Sequence, residues 1–466
     1  MEHEILSSEN KALKINLNPQ IFGTIAEIGG GQEVAREFFR AGGASKTIAK
    51  SISAYDKNFS DALYKSKSGR YVSEIRLKKM LDTEYAEITK ILTKTRGENS
   101  TFFAFANTVE TINYRKDNQG HGWLGIRFQL TPLAEPNEII LHTILHENDT
   151  ILQQRTLSTL GINLIFACYY LSNNIDDLLI SLLDNLSNDR LEINMISISG
   201  PDFEHCDNRL VSVKLVKHGL TSVSIFDRYG KVQQPGDMLY NKDVMVLRGS
   251  FRPVTYIELD MLKSGYALFK KEVNFNTETS VVLCEMTLNN LLEEGEFHEK
   301  DFLDRVDLLN GMGQNVMISN FKEFYRLSAY FSQFNIIQLR LIMGADTLRK
   351  VIEEKYYTNL KGGILEAFGR LFGKHVKLYI YPFKDKKENP FLNSKNIEIE
   401  SHLKLLFNYL LYNEMIIDIN THNSKKLYIS NRLVSKMIKE GTPNWEEMVP
   451  KYISENIIKK GLFGYK

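Results

Sequence analysis

Along the chain, short apolar runs and amphipathic stripes alternate, and their spacing predicts helices and strands from end to end. Gln32–Arg40 (QEVAREFFR) sets Val34, Ala35, Phe38 and Phe39 on one helical face. An extended-looking IFGTIAEI (residues 21–28) and the run Gly29-Gly30-Gly31 precede it. Glu192–Ser199 alternates as a half-buried strand does, Asn208–His218 has helical spacing, and Thr221–Phe226 reads as a further strand.

Beyond Pro235 the pattern is sharper. Val244–Leu247 (VMVL) is a buried-strand run and Tyr256–Lys271 has helical spacing. Ser280–Cys284, Asn315–Ser319, Gln338–Met343 and Val376–Tyr381 are four more strand candidates, with helical segments between several of them. Strands alternating with helices require βαβ crossovers and a mostly parallel sheet. The expected fold is therefore α/β, with a Rossmann-like mostly parallel sheet in the C-terminal half and a separate N-terminal α/β or α+β domain. The polar stretch Gly230–Asp243, which contains Pro235-Gly236, marks the boundary, giving domains 1–235 and 236–466. Lys384–Asn396 (KDKKENPFLNSKN) reads as a surface insertion in the second domain.

Composition narrows the class. Of 466 residues, 43% are apolar and 25% charged, which excludes a disordered or fibrous chain. Lysine and arginine total 58 against 57 acidic residues, so nucleic acid is not an expected partner. Cys168, Cys206 and Cys284 form no CxxC pair, which argues against a disulfide framework and a cysteine-built zinc site and fits a reducing cytoplasm. The most apolar stretch, Gly161–Leu171, is too short to span a bilayer, and MEHEILSSENK lacks a signal-peptide pattern. A cytoplasmic protein of bacterial type, with no membrane partner, is the expectation.

The chemistry concentrates in Arg248–Leu259 (RGSFRPVTYIEL). A buried strand runs into a Gly-Ser turn, a proline, and a threonine at a helix start. Gly249 permits close backbone approach, and the first turn of the helix offers unpaired N–H groups suited to phosphate. Arg248 and Arg252 would add positive charge. An ordinary strand-to-helix turn capped by Thr255 explains the same residues without a ligand.

This stretch resembles the first signature of the nicotinamide/nicotinate mononucleotide adenylyltransferases, G-[ST]-F-x-P-[ITV]-[HT]-x-x-H-L, at Gly249, Ser250, Phe251, Pro253, Val254, Thr255 and Leu259. Leu341–Leu348 (LIMGADTL), with Gly344 placed 95 residues after Gly249, is similar to that family's nucleotide-contacting G-x-D segment. Ile429–Lys436 (ISNRLVSK) is similar to its late I-S-S-T-x-[IV]-R, and the closing KEGTPNWEEMVPKYISENIIKKGLFG follows the family's order. The resemblance covers about residues 240–466.

It implies transfer of AMP from ATP to a nicotinamide or nicotinate mononucleotide, with pyrophosphate released and Mg2+ entering with ATP. Gly249, Ser250, Thr255 and Arg252 would lie at the phosphates, Gly344 and Asp346 at the nucleoside, and Phe251 among the nucleotide-binding residues. Ser430, Arg432 and Lys436 would be further phosphate contacts. The histidine that donates to phosphate in that family falls here on Glu258, the signature threonine on Arg432 and the terminal arginine on Ser435. Thr255, Arg252 and Glu258 are thus the candidate catalytic residues, with no protein-built metal site. The Glu258 replacement opens a second reading, a nucleotide-binding sensor or scaffold without catalysis. A third is a structural, oligomerising protein, and homo-oligomers fit any of the three.

Other segments carry weaker signals. Asp346 reads either as a ribose contact or as a helix N-cap. Tyr356 and Tyr357 lie in a glycine-broken helical hairpin, where packing explains them more simply than base stacking. Gly29-Gly30-Gly31 reads as a turn rather than a phosphate cradle, and Gly42–Thr47 lacks P-loop spacing. His121-Gly122-Trp123 and His205-Cys206-Asp207 hold no recognisable ligand set.

Overall fold

The computed structural model describes residues 5–64, 69–292, 296–373, 375–384, 390–420 and 426–465. The chain folds as two compact units, Met1–Ser222 and Val223–Lys466, both α/β.

In the first unit six strands form one sheet: β1 (Ile21–Gly29), β2 (Ile48–Ala54), β3 (Thr101–Glu110), β4 (His121–Phe128), β5 (Asn137–Leu145) and β6 (Leu191–Ser199), in the order β2-β1-β3-β4-β5-β6. β1 pairs in parallel with β2 and β3, and the remaining pairs are antiparallel. Because successive strand residues face opposite sides, Phe103 and Phe105 enter the core that includes Leu157, Leu160 and Leu164. Phe102 and Ala104 pack instead with Tyr85 and Ile88 of the Glu74–Arg96 helix. The apolar run Gly161–Leu171 belongs mostly to the buried face of the Thr150–Tyr170 helix. No helix among the described residues is long and apolar enough to cross a membrane.

The second unit is built on eight strands: β7 (Val223–Phe226), β8 (Val232–Gln233), β9 (Asp243–Arg248), β10 (Ser280–Thr287), β11 (Asn315–Ser319), β12 (Gln338–Gly344), β13 (Val376–Tyr381) and β14 (Ile416–Asp418). Their order is β14-β13-β12-β9-β10-β11-β7-β8. β9 to β14 are parallel throughout, as buried apolar runs joined by helices require. Among its described strands, the β7–β8 hairpin runs antiparallel, along the edge of β11.

That hairpin moves the domain boundary. The sequence places it near residue 235, but Val223–Phe226 pair with Val316–Ser319 and so belong to the second unit. Pro235-Gly236 opens a short helix, Pro235–Leu239, with proline at a position that needs no N–H donor. Within the expected insertion at 384–396, residues 385–389 lie outside the described residues. The rest is tied down by the Phe383–Leu392 bridge and by Ser394, which donates N–H and Oγ–H to Asp418 at 3.0 and 2.8 Å.

Candidate functional site

From β9 the chain winds outward through β10 and β11 on one side, and through β12, β13 and β14 on the other. The winding therefore reverses between β9 and β12, the point at which open α/β sheets take ligands. Leu247 is paired with Ile342. Two residues further on, Gly249, just past β9, and Gly344, the last residue of β12, lie at adjoining carboxyl ends.

The turn after β9 fills its own hollow. Phe251 is fully buried at a positive φ of 49°. A Cβ on Gly249 would lie 3.0 Å from its ring and 3.1 Å from Glu258 Oε1. A side chain at this position would press on the Phe251 ring and the Glu258 carboxylate, which would have to give way.

Thr255 is the N-cap of the Tyr256–Phe269 helix and Glu258 its third residue, a capping box. Glu258 Oε2 accepts the Thr255 N–H at 2.7 Å and lies 3.3 Å from Thr255 Oγ1. Glu258 Oε1 accepts a hydrogen bond from Asn431 Nδ2 at 2.9 Å, and the same nitrogen donates to Pro253 O at 2.7 Å. Only 5% of Glu258 is exposed. Burial pushes its carboxyl up to about 7, against the lowering pull of the Thr255 and Asn431 hydrogen bonds.

Both arginines of the turn are committed to carboxylates. Arg248 donates from Nε and Nη2 to Glu285 at 2.9 Å each, across the β9–β10 register, and its guanidinium stands 4.3 Å from the Phe324 ring centre. Glu285 is fully buried and also accepts from Ser319 Oγ at 2.6 Å. Arg252 Nε donates to Asp301 at 2.6 Å, and Asp301 also pairs with Arg305. Arg305 in turn donates to the Ser250 carbonyl at 3.2 Å.

The candidate catalytic residues therefore meet one another and their neighbours. Thr255 and Glu258 cap a helix, and Arg252 neutralises Asp301. At the end of β12, Gly344 is the N-cap of the Ala345–Val351 helix, so Asp346 is not. Asp346 lies in the first turn, and a Cβ on Gly344 would meet its Oδ1 at 2.6 Å. Ser430 caps the Asn431–Glu440 helix, accepting the Leu433 N–H at 3.3 Å. Arg432 and Lys436 are exposed on that helix, and Lys436 stands 3.8 Å from Glu440. Tyr357 is buried beneath Tyr325 and Phe368, as hairpin packing requires, while Tyr356 is partly exposed.

Sequence reasoning passed over Asn431, which ties the late segment to the first turn. It also passed over a cavity of about 200 Å³ beside the first two turns of the Tyr256–Phe269 helix. Tyr256, Ile257, Leu259, Asp260 and Lys263 line it from the helix, Tyr381 from the end of β13, and Lys426 from the segment before the Asn431–Glu440 helix. Tyr381 donates its hydroxyl to Asp260, and Lys426 Nζ stands 3.4 Å from the centre of the Tyr256 ring. The helix residues 256, 259, 260 and 263 follow i, i+3, i+4, i+7 spacing along one face, the signal that could have revealed it.

The first unit repeats the internal-carboxylate device. Glu27, near the end of β1, accepts the N–H groups of Val34 and Ala35 at 3.2 Å each, at the start of the Val34–Ala41 helix. Asn107 Nδ2 donates to Glu27 at 2.9 Å and to the Gly31 carbonyl at 2.9 Å. Burial pushes the Glu27 carboxyl up to about 7. Gly29-Gly30-Gly31 thus leads from β1 to a helix start whose N–H groups are already taken by the protein's own Glu27 carboxylate. His121 Nδ1 meets His142 Nε2 at 3.1 Å, and His142 Nδ1 lies 2.7 Å from Asn194 Oδ1. Burial, with the His121 charge second, drives the His142 imidazole down to about 3.

No family model and no curated protein matches the chain. Among solved structures, it is similar to the competence/damage inducible protein CihA from Agrobacterium tumefaciens, at 16% identity and a TM-score of 0.25, over 35% of this chain and 97% of that one. It is also similar to a competence or damage-inducible protein from Enterobacter asburiae, at 9% identity and a TM-score of 0.25, over 34% and 95% of the two chains.

Proposed function

We propose that the C-terminal unit is a nucleotide-binding module of the nucleotidyltransferase type in which adenylyl transfer has been given up. The observation that carries this reading is the position of the Glu258 carboxylate. It sits on the N–H of Thr255, at the helix start where the sequence resemblance puts phosphate and a donating histidine. Transfer of AMP requires donors aimed at the charge developing on departing pyrophosphate, and loss of one such donor costs a factor of about 100 to 1,000. Both Glu258 oxygens already accept protein N–H groups, and when ionised the carboxylate repels phosphates as well. Arg252 and Arg248, already neutralised by Asp301 and Glu285, do not make up the charge.

Binding places weaker demands on the site. The reversal between β9 and β12 supplies the crevice, and Arg432, next to the Asn431 that donates to Glu258, forms no ion pair among the described residues. Among those residues no three His, Cys, Asp or Glu side chains cluster, and the nearby carboxylates of Glu258, Asp260, Glu285 and Asp301 all hold protein partners. Magnesium therefore belongs to this reading only as the ion that ATP brings with it.

The test pairs calorimetry with an assay of pyrophosphate. The full chain is expected to bind ATP–Mg2+ and, given nicotinamide or nicotinate mononucleotide, to release no pyrophosphate above a protein-free blank. Turnover by the native chain would restore the transferase reading, and absence of ATP binding would leave a structural role.

A further inference from the structure

We propose that the cavity between the Tyr256–Phe269 helix and the end of β13 is a phosphate-binding subsite, using Lys263 and Lys426. The proposal rests on the nucleotide-binding reading and gives its phosphates a place, since the helix start itself is taken by Glu258.

Three observations support it. The cavity lies at the carboxyl end of the sheet, lined by the first residue of the helix, Tyr256, and the last residue of β13, Tyr381. Its two lysines form no ion pair among the described residues, while its one carboxylate, Asp260, accepts the Tyr381 hydroxyl. Lysine presents a point charge on a flexible stem, suited to phosphate oxygens arriving from several directions. Lys426 is held over the Tyr256 ring at 3.4 Å, which positions an ammonium group without neutralising it.

Size fixes what enters. At about 200 Å³ the cavity is below the roughly 300–1,000 Å³ range of sites that enclose a whole ligand. It accepts a phosphoryl group and leaves the nucleoside outside. A larger cleft of about 780 Å³ in the same unit is lined by Arg349, Lys395 and Lys404 but equally by Glu353, Glu398 and Glu400, and so offers an anion no excess positive charge.

The experiment titrates the full chain by calorimetry with ATP–Mg2+ and, separately, with inorganic tripolyphosphate. It is repeated on Lys263→Ala/Lys426→Ala, on Lys426→Arg, and on Lys271→Ala as a control at the far end of the helix. Melting curves confirm folding of each variant. The expected result is binding of both probes, weakened roughly ten- to a hundredfold by the double variant and little changed by Lys426→Arg or Lys271→Ala. If the double variant binds ATP as the native chain does, the subsite is overturned while nucleotide binding stands. If tripolyphosphate binds through the lysines but ATP does not bind, the subsite stands and the nucleotide reading falls. If the native chain binds neither probe, both fall.

Discussion

Asn431 divides one amide nitrogen between two acceptors, Glu258 Oε1 at 2.9 Å and Pro253 O at 2.7 Å. The two side chains are 173 residues apart in sequence. Each amide hydrogen serves a different partner. The starts of the Tyr256–Phe269 and Asn431–Glu440 helices are thereby held as one piece, with a buried carboxylate between them. A carboxylate in that place answers the same unpaired N–H groups that would otherwise attract a ligand anion.

The raised Glu258 carboxyl sets a pH dependence of stability. Its folded value of about 7 lies above the usual carboxylate value of 4.5, so the folded state holds a proton that the unfolded state has released over that window. Stability from this group is fully present below about pH 4.5 and is lost as pH rises toward 7. Glu258→Gln removes this loss, so relative to the native chain the variant should gain stability between pH 5 and pH 8, on the order of 2–3 kcal/mol. Glu27, raised to about 7 in the same way, should leave part of the native slope in place. Melting curves across that range check it, and parallel curves for variant and native chain would show that Glu258 does not titrate there.

Removing the other partner gives a different signature. Asn431→Ala leaves Glu258 Oε1 and the Pro253 carbonyl without their donor, at a cost of about 1–3 kcal/mol. Asn431→Asp sets a second carboxyl against Glu258, and like charges cannot both ionise cheaply at that distance. The aspartate variant should therefore be the less stable of the two at pH 8 and recover relative to alanine at pH 5. Chemical denaturation at the two pH values decides it.

The Arg248–Glu285 pair should be the most sensitive point of the sheet end. Glu285 is fully buried, and its oxygens are held by Arg248 and Ser319. Arg248→Met would strand that charge among β9, β10 and β11, at about 3–5 kcal/mol. Arg248→Met combined with Glu285→Gln should regain a large part of the loss. A double-mutant cycle showing simple additivity would deny the coupling.

The sheet of the second unit was legible because parallel strands buried on both faces read as unbroken apolar runs. Val244–Leu247, Asn315–Ser319 and Val376–Tyr381 all lie within strands for this reason. The domain boundary was not legible, because the strand at Val223–Phe226 takes its partner from Val316–Ser319, far along the chain. At the site, the local half was readable: Thr255-Tyr256-Ile257-Glu258 is the T-x-x-E spacing of a capping box, which turns the carboxylate inward. The distant half, Asn431 against Glu258 and Lys426 over Tyr256, has no periodic or local signature. Charge alone made Arg248 and Arg252 look like anion ligands, and only the cross-element partners Glu285 and Asp301 show where their charge goes.

Arg252 and Arg432 should then behave oppositely when removed. Arg252 gives its guanidinium to Asp301, which also pairs with Arg305, so Arg252→Ala loosens the contact between the turn after β9 and the Glu299–Gly311 helix. It should lower the melting temperature and leave ATP affinity within about twofold, since a neutralised cation adds little attraction for a further anion. Arg432 is exposed, without an ion pair among the described residues, on a helix whose first residue touches Glu258. Arg432→Ala should leave the melting temperature unchanged and weaken ATP binding several-fold, more at low salt than at high, as expected of an exposed charge. Calorimetry and melting of the two variants side by side give four numbers. If ATP affinity falls with Arg252 and not with Arg432, the phosphates lie in the turn after β9, and the Glu258 carboxylate must be displaced when nucleotide binds.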